Sequence, residues 1–158
     1  MLEDDIDRLF PRAHISLSDP PANKQAAIEF LLDLVAANDR VSDRGAAFDA
    51  LCERENVATT GVGMGIGIPH AKTAAVAEPS VAFARSRAGI DFDAADDAPV
   101  DLVFLLIAPE SSGADHLRAL ARVSRLLRDE GRCAKLRATS DAGALYAILV
   151  EDLASDAA

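Results

Sequence analysis

Lysine is nearly missing from this chain. Three lysines, Lys24, Lys72 and Lys135, stand against 13 arginines among 158 residues. Cysteine occurs only at Cys52 and Cys133, so no disulfide framework is available and each is read as a buried, reduced thiol. Basic residues total 16 against 26 acidic ones, a net charge of −10. That deficit argues against a nucleic-acid partner, because phosphate backbones require a basic face. Long apolar runs are missing too: the longest, Leu102–Ala108, is far too short to span a bilayer. The opening M-L-E-D-D-I-D lacks the basic region of a signal peptide. The missing signal region, the short apolar run and the reduced thiols are read as the marks of a cytoplasmic protein, which is the expectation here. Asp outnumbers Glu 18 to 8. Acidic excess with scarce lysine points to a high-salt cytoplasm, the alternative being an ordinary acidic protein from an alanine- and arginine-rich genome.

Half of the residues are hydrophobic, enough for a full core in one domain, with that core running from about residue 6 to about residue 153. Ile6–Phe10 and Ile15–Leu17 read as short extended pieces. Helices are expected over Lys24–Asn38 and Asp43–Glu55, from apolar residues at helical spacing. Val81–Arg87 alternates and reads as a half-buried strand. Leu102–Ala108 is apolar on both faces and reads as a central strand covered on both sides. A helix follows over Ala114–Arg128, with Leu117, Leu120, Ala121, Ser124 and Leu127 expected inward and Arg118, Arg122, Arg125 and Arg128 outward. Glu130–Arg137 and Asp141–Leu153 read as further helices, the last with Leu145, Ile148, Leu149 and Leu153 inward. Ala154–Ala158 is expected to fray. Strands mixed with helices of this length predict a three-layer α/β domain around one sheet.

One stretch stands apart: Thr59–Lys72, T-T-G-V-G-M-G-I-G-I-P-H-A-K. Glycine recurs at 61, 63, 65 and 67, then Pro69 stiffens the backbone before His70. Glycine lets a backbone approach a ligand and expose its N–H groups, and proline fixes φ. A donor-rich loop ending in a presented imidazole suits a phosphoryl group. The alternative is a loop of tight turns without a ligand. The run is neither a P-loop nor a dinucleotide fingerprint, since Gly-Lys-Ser/Thr and the third spaced glycine are both missing. His116 opens the helix after the apolar strand, where an anion is welcome; alternatively it serves the helix start or the surface. His14 has no such context and is assigned to the surface. Arg54, inside E-R-E, either clamps phosphoryl oxygens or is a solvated arginine beside Glu53 and Glu55. The three histidines share no metal-ligand spacing.

The segment R-E-N-V-A-T-T-G-V-G-M-G-I-G-I-P-H-A resembles the active-site signature of the fructose–mannitol-type enzyme IIA domains. These belong to the phosphoenolpyruvate-dependent sugar phosphotransferase system. The segment D-H-L-R-A-L-A-R-V-S-R-L-L resembles that family's second hallmark. Gly67, where the family usually carries alanine, and Thr59, where serine is commoner, are the departures. The resemblance implies an α/β three-layer sandwich with a mixed five-stranded sheet flanked by helices. It further implies that His70 accepts a phosphoryl group from the phosphocarrier HPr and passes it to a cysteine of an enzyme IIB domain, serving fructose uptake. His116 and Arg54 would then stabilise phosphoryl charge, helped by backbone N–H groups of Thr60, Gly61, Gly63 and Gly65, with no metal or cofactor. A regulatory role resembling the nitrogen-type IIA, acting by protein binding, is the alternative. A domain that binds anions without transferring phosphate is a third reading.

Overall fold

A computed structural model of the chain describes residues 8–155. Its centre is β6 (Val100–Ala108). Alternation along this strand divides the core into two. Leu102, Phe104 and Leu106 face one hydrophobic cluster, while Val103, Leu105 and Ile107 face the other. β5 (Ser80–Ile90) lies antiparallel on one side of β6, and β1 (Ile15–Ser16) extends the sheet parallel to β5. On the other side run β3 (Ile66–Gly67) and β4 (His70–Lys72), both parallel to β6, with β2 (Gly61–Gly63) antiparallel to β3 at the edge.

Among the described residues the sheet therefore counts six strands rather than the five implied by the resemblance. The reason is Pro69. Ile66 pairs with Leu102 and His70 with Leu106, one unbroken register through β3 and β4. Proline has no N–H to give the ladder, so the pairing lapses for two residues. The Pro69 carbonyl still accepts from the Leu106 N–H at 3.0 Å. β3 and β4 are one strand with a proline interruption.

Helices cover both faces. α1 (Lys24–Ala36) and α2 (Arg44–Val57) bury Ile28, Leu31, Leu32, Val35, Ala47 and Leu51 on one side. Asn23 and Asp43 cap them by accepting the Ala26 and Ala46 N–H groups, each such cap being worth ~1 kcal/mol. α3 (Ala114–Leu127), α4 (Glu130–Ala138) and α5 (Ala142–Ser155) cover the other face. Phe104 anchors that side, its ring 4.8 Å from Phe83 and 6.2 Å from Phe10 between centroids. Among the described residues, no helix is long and apolar enough to cross a membrane.

Several expectations need correcting. The buried stripe of α3 is His116, Ala119, Val123, Leu126 and Leu127, and Leu117 is 64% exposed. The stripe is turned by about one residue because His116 itself is packed inward. β5 is buried on both faces over Ser80–Ala84, since β1 and β6 flank it and helices cover it above and below. Arg8 and Leu9 are helical rather than extended; Ile6 and Asp7 lie outside the described residues. So do residues 156–158, and Leu153 lies beyond the side chains described; Ala154 and Ser155 continue α5. Cys133 is buried, but Cys52 is only half-buried.

His14 is the largest departure. It is fully buried, not on the surface. Its Nδ1–H donates to the Val81 carbonyl at 3.0 Å, and Nε2 accepts from the Asn38 amide at 3.2 Å. Both ring nitrogens are used by the neutral form, in one defined tautomer. Burial is the main cause that lowers its pKa to about 4, with the nearby Arg40 charge acting the same way.

Candidate functional site

His70 opens β4 directly after Pro69. Its Nδ1 lies 2.7 Å from the Ile68 carbonyl. A carbonyl only accepts, so Nδ1 carries the proton and Nε2 keeps its lone pair. Burial lowers the His70 pKa below the ordinary histidine value. The Arg54 charge adds to that, against the Ile68 carbonyl and Glu55. The ring is therefore neutral near pH 7 and oriented, the two conditions an imidazole nucleophile requires.

His116 arrives from the other side of the strand ends. β6 stops at Ala108, a 3-10 turn spans Glu110–Ser112, and Gly113 at φ 47° turns the chain into α3. No side chain caps this helix, so its first N–H groups stay unclaimed by a cap, as anion sites require. The His116 ring lies 5.9 Å from that of His70, tilted by 45°. Burial lowers its pKa, followed by the charges of His70 and Lys72. Nδ1 is buried with no hydrogen-bond partner among the described residues. An unmet acceptor costs less than an unmet N–H, which assigns the proton to Nε2.

Arg54 sits in the last turn of α2, where its Nη1 donates to the Ala58 carbonyl at 3.0 Å. It makes no ion pair with Glu53 or Glu55 among the described residues. Instead it borders an open hollow of about 430 Å³ together with Glu53, Val57, His70, Lys72 and His116. The structure thus brings together His70, His116 and Arg54.

It does not bring Thr60, Gly61, Gly63 or Gly65 into the lining of that hollow. The glycine run builds the β2–β3 hairpin. A Cβ on Gly61 would stand 2.9 Å from that of Ala94. Gly63 and Gly65 take φ of +98° and +80°, left-handed values that glycine adopts freely. The Thr60 N–H and hydroxyl already bond to Glu55, at 3.0 and 2.7 Å, and the Gly61 N–H bonds to the Thr59 hydroxyl at 3.0 Å.

Two residues escaped the sequence reading. Glu55 is 7% exposed and also holds the Lys24 ammonium at 3.0 Å. It ties the hairpin entrance to the starts and ends of two helices. Its only sequence signal was its place beside Arg54. Lys72 borders the hollow, and its signal was the two-residue spacing from His70, which puts both side chains on one face of a strand.

A mixed sheet between two helical layers, with one oriented imidazole facing a second histidine near the strand ends, defines a small α/β domain. The chain belongs to the EIIA 2 family of the phosphoenolpyruvate-dependent sugar phosphotransferase system, whose model matches residues 8–152. It is 54% identical over 147 residues to the PTS system fructose-specific EIIA component of Haloferax volcanii, covering 93% of this chain and 96% of that protein. It is 44% identical over 146 residues to a nitrogen regulatory protein of Bradyrhizobium diazoefficiens, covering 90% and 92% respectively. Among solved structures, the nitrogen regulatory protein IIA-Ntr from Neisseria meningitidis superposes with a TM-score of 0.84 at 31% identity, covering 91% of this chain and 98% of that one.

Proposed function

We propose that this domain carries a phosphoryl group on Nε2 of His70. The observation that carries the reading is the Nδ1–Ile68 hydrogen bond of 2.7 Å, which leaves Nε2 as the ring's only nucleophilic atom. The Nε2 lone pair attacks the phosphorus of the donor phosphohistidine on HPr. The donor P–N bond breaks, and its electron pair returns to the donor ring. In the second step a cysteine thiolate of an enzyme IIB domain attacks, and the P–N electrons return to His70. Arg54 and the Nε2–H of His116 stabilise phosphoryl charge in both steps. No cofactor enters either step.

The fructose branch is the first assignment for the pathway served, supported by the 54% relative. Regulation by protein binding, as in nitrogen-type IIA proteins, is the second, supported by the 44% relative and the 0.84 superposition. A net charge of −10 with three lysines, beside a Haloferax relative, supports work in a salt-rich cytoplasm. The test incubates the protein with phosphorylated HPr, maps the acid-labile phosphate, and then adds candidate IIB domains. Labelling of His70 and its discharge by a fructose-type IIB are expected. Full labelling of His70→Ala would sink the assignment. Labelling of His70 without discharge to any IIB would favour the regulatory reading.

A further inference from the structure

We propose that Lys72 is a second cation of this site, closing on the phosphoryl oxygens once the group is on His70. The inference rests on the phosphoacceptor reading of His70. Three observations carry it. His70 and Lys72 are two residues apart in β4, so strand alternation projects both to the same side, and both line the same hollow. The Lys72 ammonium has no ion pair or hydrogen bond among the described residues. Arg54, the other cation of the hollow, is held at Nη1 by the Ala58 carbonyl.

The electrostatics point the same way. The Lys72 charge acts on His116 across the hollow, so the ammonium lies within electrostatic reach of the ring that faces His70 at 5.9 Å. A phosphoryl group brings roughly two negative charges at neutral pH. Before it arrives, the hollow holds the charges of Arg54 and Lys72 against the single carboxylate of Glu53. Afterwards Lys72 is the nearby charge able to move: its stem is flexible and its three donors pivot, unlike the planar fork of arginine. The chain places arginine at 13 of its 16 basic positions, yet lysine borders this hollow. The cation would stabilise the transferring group in the transition state and the dianion in the carrier state.

The experiment compares the parent with Lys72→Met and Lys72→Arg. Single-turnover phosphorylation by phospho-HPr gives the rate. A ³¹P NMR pH titration of the phosphorylated protein gives the protonation midpoint of the phosphoryl group. Thermal melting checks the fold, which an exposed lysine without partners should leave unchanged. In Lys72→Met the rate should fall about tenfold or more, as on losing one charge-stabilising donor. The midpoint should rise by about half a unit, as a neighbouring cation is lost. Lys72→Arg should recover most of both. If His70 is labelled but either readout of Lys72→Met matches the parent, the proposal fails alone: an unmoved rate leaves a solvated lysine, and an unmoved midpoint leaves a lysine that only docks HPr. If His70 of the parent is not labelled at all, the phosphoacceptor reading fails and this proposal with it.

Discussion

Acidification should destabilise this fold through His14, well before its carboxylates are protonated. The folded ring titrates at about 4, mainly because burial disfavours the charged form, and the unfolded ring titrates at an ordinary 6.5. Between these values the unfolded chain binds a proton that the native chain refuses. Stability is thus fully present above about pH 6.5 and declines as pH falls towards 4. The difference of about 2.5 units at 1.36 kcal/mol each gives a loss of roughly 3 kcal/mol, a large part of a small domain's stability. Protonation would also place a donor at Nε2, where Asn38 now donates. The assay is urea denaturation of the parent and His14→Gln from pH 7.5 to pH 4.5. His70 and His116 also titrate low, so only the difference between the two pH profiles reports His14. The variant should start less stable, having lost a packed ring, and then lose less on acidification. Parallel profiles would refute the argument, whatever their offset.

Other outcomes follow from the same geometry. Arg54→Ala should keep its melting temperature but slow transfer by ~2–4 kcal/mol of activation free energy, as when an oxyanion-hole donor is removed; an unchanged single-turnover rate returns Arg54 to a helix-end role. His116→Ala should still accept phosphate on His70, only more slowly, and His116→Gln should keep part of the rate because an amide N–H replaces the ring N–H; parent-like kinetics in both would redraw the site around His70 and Arg54. Gly61→Ala should cost about 1–3 kcal/mol, as overpacked positions do, because its Cβ would press on Ala94 at 2.9 Å; a neutral effect in chemical denaturation would show that the hairpin yields. Raising KCl from about 0.1 M to about 3 M should raise the melting temperature, as screening relieves repulsion in a chain of net charge −10; a flat or falling curve would count against adaptation to salt.

The layer order was legible because its signals are periodic. β6 reads as a doubly covered strand from Leu102 to Ala108, and α1 and α2 read from their apolar spacing. What eluded the sequence depends on contacts distant along the chain. His14 is buried by Val81 and Asn38, 67 and 24 residues away, and nothing beside it foretells either. β5 alternates like a half-exposed strand, but its small residues Ala82 and Ala84 face a second helical layer. On α3, leucine was the natural inward choice, yet the inward residue at the helix start is a histidine. The glycines of residues 61–67 were visible as an unusual backbone. Whether such a backbone cradles an anion or folds into a hairpin against Ala94 and Phe92 is decided by the packing. The site was half legible: His70, His116 and Arg54 meet, while Glu55 and Lys72 acquire meaning only once the strand and hairpin are placed.

Under the proposed phosphoryl-carrier role, the proline interruption between β3 and β4 bears on how one imidazole would serve a donor and an acceptor in turn. A nucleophile on a loop would have to be immobilised anew at each encounter, losing conformational freedom to both donor and acceptor. His70 instead resumes the β6 register the moment the interruption ends. It is anchored on both sides, by the Pro69 carbonyl before it and the β4 ladder after it. The entropy of alignment is spent during folding, once, rather than at every collision. Neither the proposed donor nor the proposed acceptor would have to reshape the site to use it, so the exchange of one for the other would become a matter of diffusion and surface fit.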